Sequence, residues 1–584
     1  MATKPAVPAN PHPQRMLSDV TADSVLALIR NRVLELPEDF GVEDDLPAAG
    51  LDSMAIMQLL LAVEEEFGVS LPVESVSKKH LSSASALAQH LASNGAPGSE
   101  DAAHTAETRP SLSGPPDAPS PPPSPPPPPT RSDAPTRFQQ LRLRGPDYFV
   151  LCFDRLSRKT GQGGHKAHSF LLLDSLPDTA RLRLALEQAA ALHPMLNARL
   201  KKRWLPGIPS WIPSQQPTAP RLFLHSEKGS SGRLLAEGAE AFEDAHTLME
   251  QITNLPMPVM KGVAWPKARF HLLECKDGSA ALIFSWNHLM MDGVGAELFL
   301  QELNAMEAGE SRPLVPPFDP EAFAPPTAPS GALNRAWPII EFFRKLARSR
   351  IPCLGPMKPR RGGTRFLAET LTAQQTEAVR ARCSALCGDL VTMPFYLAAA
   401  MRAHAAVFDR RGQPPPSQVS VVPLQTRRKG TPGPIFLNHI TVFFGILSRE
   451  DAASMERATA SLLGQHARFL KDRMGDSLND LLGLMSYIPP SLYMAFTRMQ
   501  MRGPFSTLFH SHTGEFAAGL NQFMGATVTG AFHVPGILTP PGTGIFCNEK
   551  NGRLVVTACW HEDALDEAEK DLMMQSFLAD LGVS

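Results

Sequence analysis

Residues 95–136 place the first constraint on this chain: 14 of those 42 positions are proline, and Pro125 to Pro129 are consecutive. Proline fixes φ and removes the backbone donor, so this stretch builds neither helix nor sheet. It reads as a disordered, polyproline-like spacer, about 3.1 Å per residue where regular. A ligand for proline-recognising domains is the rival reading, and the folded patterns on both sides favour the spacer. The spacer divides the charge as well. Residues 17–94 hold 13 acids and four bases, net −9, whereas residues 137–584 come to +8 within a total of −2. Opposite fields draw an acidic unit and a basic one together. The near-neutral total argues against wholesale nucleic-acid binding.

Other classes fall away on the same kind of evidence. The seven cysteines are odd in number and scattered, as in a reduced cytosolic protein rather than a disulfide scaffold. Cys383 and Cys387 lie one helical turn apart without a second pair, so no metal site is expected. The opening MATKPAVPANPHPQ is polar and proline-broken, unlike a signal peptide. No run of about 20 apolar residues occurs, so no membrane span is expected. The expected compartment is the cytoplasm.

Within the acidic unit, Val25, Leu28 or Ile29, Val33 and Leu36 recur at helical spacing, as do Ile56, Leu59 or Leu60, Val63 and Phe67. Asp52 before Ser53 is a candidate N-cap, Gly68 a candidate stop, and a shorter helix from Ala84 to Leu91 follows Ser83. The expectation is an all-α four-helix bundle. The basic part alternates strands and helices. Phe270 to Cys275 and Ala280 to Trp286 flank Lys-Asp-Gly as a hairpin, followed by a helix from Val294 to Leu303. Ser417 to Pro423, Ile440 to Leu447 and Leu554 to Trp560 read as strands. Ala373 to Leu386, Met393 to Val407 and Leu565 to Leu581 read as helices. With a second proline-rich stretch at Pro313 to Pro329, these spacings fit two α/β lobes joined by a crossover. The expected division is a disordered 1–16, the helical module 17–94, the spacer 95–136, a first lobe 137–325, a crossover 326–361 and a second lobe 362–584.

Two motifs bear on chemistry. Gly50-Leu51-Asp52-Ser53-Met54 opens a helix that ends in Glu64-Glu65-Glu66, and it sets a serine at the exposed start of that helix. Trp286-Asn287-His288-Leu289-Met290-Met291-Asp292-Gly293 lies between a strand and a helix, where a histidine can project from a rigid edge. A neutral imidazole near pKa 6.5 suits proton removal at pH 7. Asp292, with glycine after it, is placed to shape the loop and pin it through an arginine.

Residues 17–94 resemble an acyl or peptidyl carrier protein, whose Leu-Asp-Ser signature carries 4′-phosphopantetheine on the serine, here Ser53. Residues 137–584 resemble the condensation-domain superfamily of acyltransferases, which includes chloramphenicol acetyltransferase and the bacterial wax ester synthase/diacylglycerol acyltransferases. The match rests on Ala189 to Leu200 with its His193-Pro194 turn, Val422-Pro423-Leu424-Gln425-Thr426-Arg427, Asn438, Ser511 to Gly514, Pro541 to Gly544 and Asn551 to Leu554. This resemblance implies two chloramphenicol-acetyltransferase-like lobes in a V, with the reaction at their junction. His288 would be the general base, Asp292 would pair with Arg427, and the Gly293 region would help hold the loop. Asn287 stands where most relatives have a second histidine, and it and Asn438 are expected in support.

The implied activity moves an acyl group from a phosphopantetheine thioester to a hydroxyl or amine, in lipid- or polyketide-type metabolism. Peptide-type condensation and a catalytically degenerate carrier-binding protein are the alternatives. Implied partners are a phosphopantetheinyl transferase, an acyl-loading enzyme, a small-molecule or lipid acceptor, and the chain's own or another chain's carrier. The segments Trp337 to Arg348 and Leu481 to Phe509 are unusually apolar, the first with a basic face, which suggests peripheral membrane contact.

Overall fold

The computed structural model describes residues 20–94 and 141–583, apart from 52, 70, 72–75, 77–78, 202–207, 213, 215–217, 258–267, 308–330, 358–361, 389, 428–432 and 502. The expected disordered N-terminus, the proline-rich spacer and the stretch from Pro313 to Pro329 lie outside the described residues, as does the candidate cap Asp52.

The acidic unit folds as α1 (Ala22–Arg32), α2 (Ser53–Phe67) and α3 (Ala84–Asn94). Thr21 and Ser24 start α1 as a reciprocal capping box, each side chain taking the other's backbone N–H. The apolar positions read from the spacing become the core: Val25, Ile29, Leu59, Val63, Leu87 and Leu91 are fully buried. Gly68, at φ +70°, ends α2 where a side chain would be strained, and its N–H returns to the Glu64 carbonyl. The long α1–α2 loop is tied down by Arg30, which donates to the carbonyls of Pro37 and Phe40. Three helices are described where four were expected, and the positions 72–75 and 77–78 between α2 and α3 lie outside the described residues.

The basic part begins with β1 (Leu141–Arg142), α4 (Gly145–Lys159), β2 (Lys166–Leu173), α5 (Thr179–Leu192), β3 (Arg199–Lys201), β4 (Ser210–Ile212), β5 (Arg221–Glu227), β6 (Glu240–Phe242) and α6 (Ala245–Asn254). The hairpin β7 (Ala268–Glu274) and β8 (Ala280–Asn287) and helix α7 (Gly293–Glu307) complete the first half. After α8 (Ala332–Leu346) come β9 (Thr364–Thr370), α9 (Ala373–Cys387), α10 (Met393–Arg410), β10 (Ser417–Gln425), β11 (Ile440–Ser448), α11 (Met455–Lys471), α12 (Met474–Met485) and α13 (Pro490–Met501). The chain closes with β12 (Leu508–Glu515), β13 (Gln522–Phe523), β14 (Ala526–Val534), β15 (Thr543–Lys550), β16 (Arg553–His561) and α14 (Glu567–Leu581). Helix α14 starts two residues later than the apolar pattern suggests, because Asp566 caps it in a box with Glu569.

Two main sheets result, in the order β13-β14-β2-β8-β7-β5-β6 and β11-β10-β12-β15-β16-β9, beside a small sheet β1-β4-β3. One face of the first packs Phe270, Phe284 and Trp286 against Phe299 of α7. The outer face of the second is covered by α9, α10, α11 and α14 through Val379, Phe395, Leu462 and Phe577. The inner faces meet at Phe170, Ile283 and Phe532 against Phe366, Phe546 and Val555. The expected second lobe, 362–584, does not stay in one sheet: β13 and β14 cross to the first, where β14 pairs antiparallel with β2 from Val528 to Val534. That pairing satisfies the edge of β2 and buries Phe532, stacked on Phe170 at 4.6 Å.

His510 and His512 lie on β12 and face α10, where Tyr396 stacks on the His512 ring at 4.3 Å. Burial holds many such imidazoles neutral. His404, His439, His466 and His512 are lowered from 6.5 to about 4, and His271 and His510 to about 3, desolvation being the leading cause in each. An unfolded chain binds these protons below pH 6.5 and the folded chain does not. Each group therefore removes about 1.4 kcal/mol of stability per pH unit between 6.5 and its folded value. Circular dichroism melts should give a Tm at pH 5 about 10 °C or more below that at pH 7.5.

Candidate active site

β8 runs through a fully buried layer and ends at Asn287, and α7 starts at Gly293, so the five residues between form a short loop over the sheet end. That loop is built from backbone satisfaction. The Trp286 indole N–H donates to the Met291 carbonyl at 2.9 Å, and Asn287 accepts the Leu289 N–H at 2.9 Å. The His288 N–H donates to the His165 carbonyl at 3.0 Å. Trp286, Met290 and Met291 are all fully buried in the core of the first sheet. His288 alone in the loop is only partly buried.

The imidazole of His288 has a defined orientation. Its Nδ1 lies 3.0 Å from Oδ1 of Asn438. The Asn438 amide nitrogen faces two groups that only accept, the Asp147 carboxylate at 3.2 Å and the His288 carbonyl at 3.1 Å. Its oxygen must therefore be the atom that accepts from His288, which places the proton on Nδ1 and leaves the lone pair on Nε2. Asp147 is held in turn by Arg144 Nε at 3.0 Å and by the Asn438 N–H at 2.9 Å. Burial lowers the pKa of His288, with the nearby Asp292 carboxylate opposing, so the ring is neutral at pH 7.

Asp292 does not approach the His288 ring as a hydrogen-bond partner. Its Oδ2 accepts from Arg427 Nη1 at 2.7 Å and from the His439 N–H at 2.8 Å, and its Oδ1 caps α7 through the Gly295 N–H at 2.9 Å. Both side chains of the pair are 4% exposed. Burial works against the Asp292 carboxylate, but Arg427 and the backbone donors hold its pKa below the usual value. Arg427 also donates to the Pro434 carbonyl and to Gln425. The glycine that this packing requires is Gly295, where a Cβ would stand 2.1 Å from the Ile435 carbonyl oxygen. At Gly293 a Cβ would meet only His533 Nε2, at 4.0 Å. Leu437, at φ +71°, is held in the left-handed region by its N–H to the Met290 carbonyl, and this turns Asn438 toward the histidine.

Asn287 points away from the site, its Nδ2 donating to Asp154 Oδ1 at 2.9 Å. Asp154 also takes the His165 N–H and the guanidinium of Arg158. The ring of His165 stacks on His288 at 5.0 Å and 17°, and burial followed by its neighbour keeps it well below the ordinary histidine value. The histidine missing at position 287 thus has a counterpart from the edge of β2. Of the residues singled out in the sequence, Asn438 meets the His288 ring and Arg427 meets Asp292, whereas Asn287 turns to Asp154. Sequence reading missed His165, Asp147 and Asp154. The last two lie seven residues apart on α4, two turns on one face, each with an arginine three or four residues away, and that spacing was the available signal. Ser53 opens α2 at its first turn, and its side chain lies outside the described residues. Among the described residues no cluster of side chains is suited to a metal.

The acidic unit matches, over residues 23–91, a family model described as a phosphopantetheine attachment site. It is therefore a module that bears covalent 4′-phosphopantetheine on a serine. No curated protein matches the chain by sequence. Solved structures similar to it include a trichothecene 15-O-acetyltransferase from Fusarium sporotrichioides, 13% identical at a TM-score of 0.54, covering 76% of this chain and 95% of that one. The first condensation domain of the CDA synthetase is 15% identical at 0.53, with coverage of 76% and 95%. The condensation domain of monacolin K polyketide synthase is 11% identical at 0.52, with coverage of 76% and 97%. The body of the chain thus has the two-lobed condensation-type α/β fold.

Replacing Arg427 by Met should cost about 3–5 kcal/mol, because Asp292 would remain as an uncompensated buried carboxylate. Urea unfolding would measure it, and the double replacement Arg427→Met/Asp292→Leu should recover part of the loss.

Proposed function

We propose that this chain is an acyltransferase that delivers an acyl group from a carrier-bound thioester to an acceptor hydroxyl or amine. The observation that carries this reading is the fixed tautomer of His288, with Nδ1–H held by Asn438 and Nε2 open to accept a proton. Ser53 is the proposed attachment residue. It opens α2, and the preceding Leu51 is buried and anchors the approach, so the residues fit a group attached at a helix start. A 4′-phosphopantetheine thioester supplies an activated acyl carbon and a sulfur leaving group that carries the proton away. His288 Nε2 takes the proton as the acceptor oxygen or nitrogen bonds to that carbon. Asn438 and Asp147 hold the ring against rotation, and Asp292 with Arg427 holds the loop that bears it.

An ester product and a fatty or other apolar acyl group are favoured by the aromatic file beside the histidine pair. Phe153 meets His165 edge-on at 5.6 Å, stacks on Phe505 at 5.5 Å, and continues to Phe509 and Phe149. The likeness to an O-acetyltransferase agrees with an ester product. Contact with a lipid surface is part of the proposal. Leu333, Trp337, Tyr487 and Leu492 are 52–60% exposed along α8 and the α12–α13 corner, with Arg344 and Lys345 at the end of α8. No described helix is long and apolar enough to cross a membrane.

The test uses holo-protein loaded with a fatty acyl chain and offered an alcohol. Mass spectrometry should place the phosphopantetheine and its acyl group on Ser53, and Ser53→Ala should carry neither. His288→Ala should lose about 10²–10⁴ in turnover with loading intact, and Asn438→Ala roughly 10². Equal acyl release from His288→Ala would overturn the base assignment. Because burial keeps His288 neutral, turnover should hold from pH 8 down to the ordinary histidine value of 6.5 and fall only below it.

A further inference from the structure

We infer that the outer face of α11, together with Leu390 and Val391, is the surface on which this chain seats its own carrier module. The inference rests on the acyl-transfer reading above and adds the partner and its docking site. Helix α11 carries two apolar stripes. Ala458, Leu462 and Phe469 face inward and belong to the core of the second sheet. Leu463 and Ala467, at i and i+4, face the other way, and Leu470 near the helix end lies between the two, against both cores. A solvent-facing stripe of that kind needs an occupant. It has one: Leu463, Ala467 and Leu470 pack against the cluster formed by Val25, Leu59, Val63 and Leu87 of the carrier. Leu390 and Val391, in the connection between α9 and α10, are members of that same cluster, at 2% and 1% exposure. Two adjacent apolar residues of one unit are thus buried in the core of another.

Charge follows the same geometry. Helix α2 ends in Glu64, Glu65 and Glu66, and the last turn of α11 holds Arg468 and Lys471. Lys471 Nζ lies 3.7 Å from Glu64 Oε1, an exposed pair of small worth that orients rather than binds. The C-terminal end of α11 is also the end nearest the site. Gly475, just beyond it, bonds Thr441 at the start of β11, three residues from Asn438. Carrier and body belong to one chain, so their encounter is intramolecular and a modest patch stays occupied.

The test is hydrogen–deuterium exchange on the full-length holo chain, wild type against Leu463→Asp/Ala467→Asp, combined with two transfer rates. One rate uses the acyl group on the tethered carrier and the other a free acyl-pantetheine thioester. Residues 388–392 should exchange at least ten-fold faster in the double variant, and the ratio of tethered to free rates should fall at least ten-fold. Lys471→Glu should lower that ratio by less, and adding Glu64→Lys should restore it. Unchanged exchange at 388–392 would overturn the docking surface. Faster exchange with an unchanged ratio would overturn its role in delivery. Failure of both chains to turn over the free thioester would instead refute the proposed activity, and the exchange result would still decide the dock.

Discussion

The buried pair of Asp292 and Arg427 is the contact on which the site depends. It joins a loop of the first sheet to the end of a strand in the second, and neither side chain can be solvated where it lies. One carboxylate caps α7, receives the His439 N–H and neutralises the guanidinium, so the helix, the β11 approach and the interlobe contact are fixed together. A pair of this kind contributes little net stability against an apolar equivalent, but it tolerates no half measure. Its value is positional: it sets where the histidine loop stands relative to Asn438.

Around that anchor the site is organised by α4, which supplies two buried carboxylates with separate tasks. Asp147 orients the amide that orients the imidazole. Asp154 collects Asn287, the His165 backbone and Arg158, and so holds the end of β8 and the start of β2 in one frame. The amides of Asn438 and Asn287 and the guanidinium of Arg158 all meet acceptors here, which is the condition under which polar groups in a low-dielectric interior rigidify a site instead of weakening it. The stacked pair of His165 and His288 then stands over an aromatic file that leads between the lobes.

The division of charge has a structural counterpart as well. The acidic module and the basic body meet at α2 and α11, and their contact is chiefly apolar, with the opposite charges at its rim. Long-range attraction between −9 and +8 brings the units together, whereas the leucine stripe determines where they rest.

Periodicity and composition marked the modules and most elements of the body, and motifs read through a family resemblance marked the catalytic candidates, because each depends on local signals. Helical spacing marks α1, α2 and α10, the Lys-Asp-Gly turn marks the β7–β8 hairpin, and a histidine and an aspartate at fixed separation mark the loop. What escaped such reading depends on partners far apart in the chain. Asp147 gains its role from a residue 291 positions away, and β14 leaves its own half to pair with β2 because that is where an unpaired edge waits. The outer stripe of α11 looks in sequence like part of a broad apolar helix, and only its neighbour separates it from the core stripe. Sequence thus fixed which groups the chain can use. Tertiary structure decided which nitrogen of His288 is free and which surface the carrier meets, since both are set by contacts that no local pattern encodes.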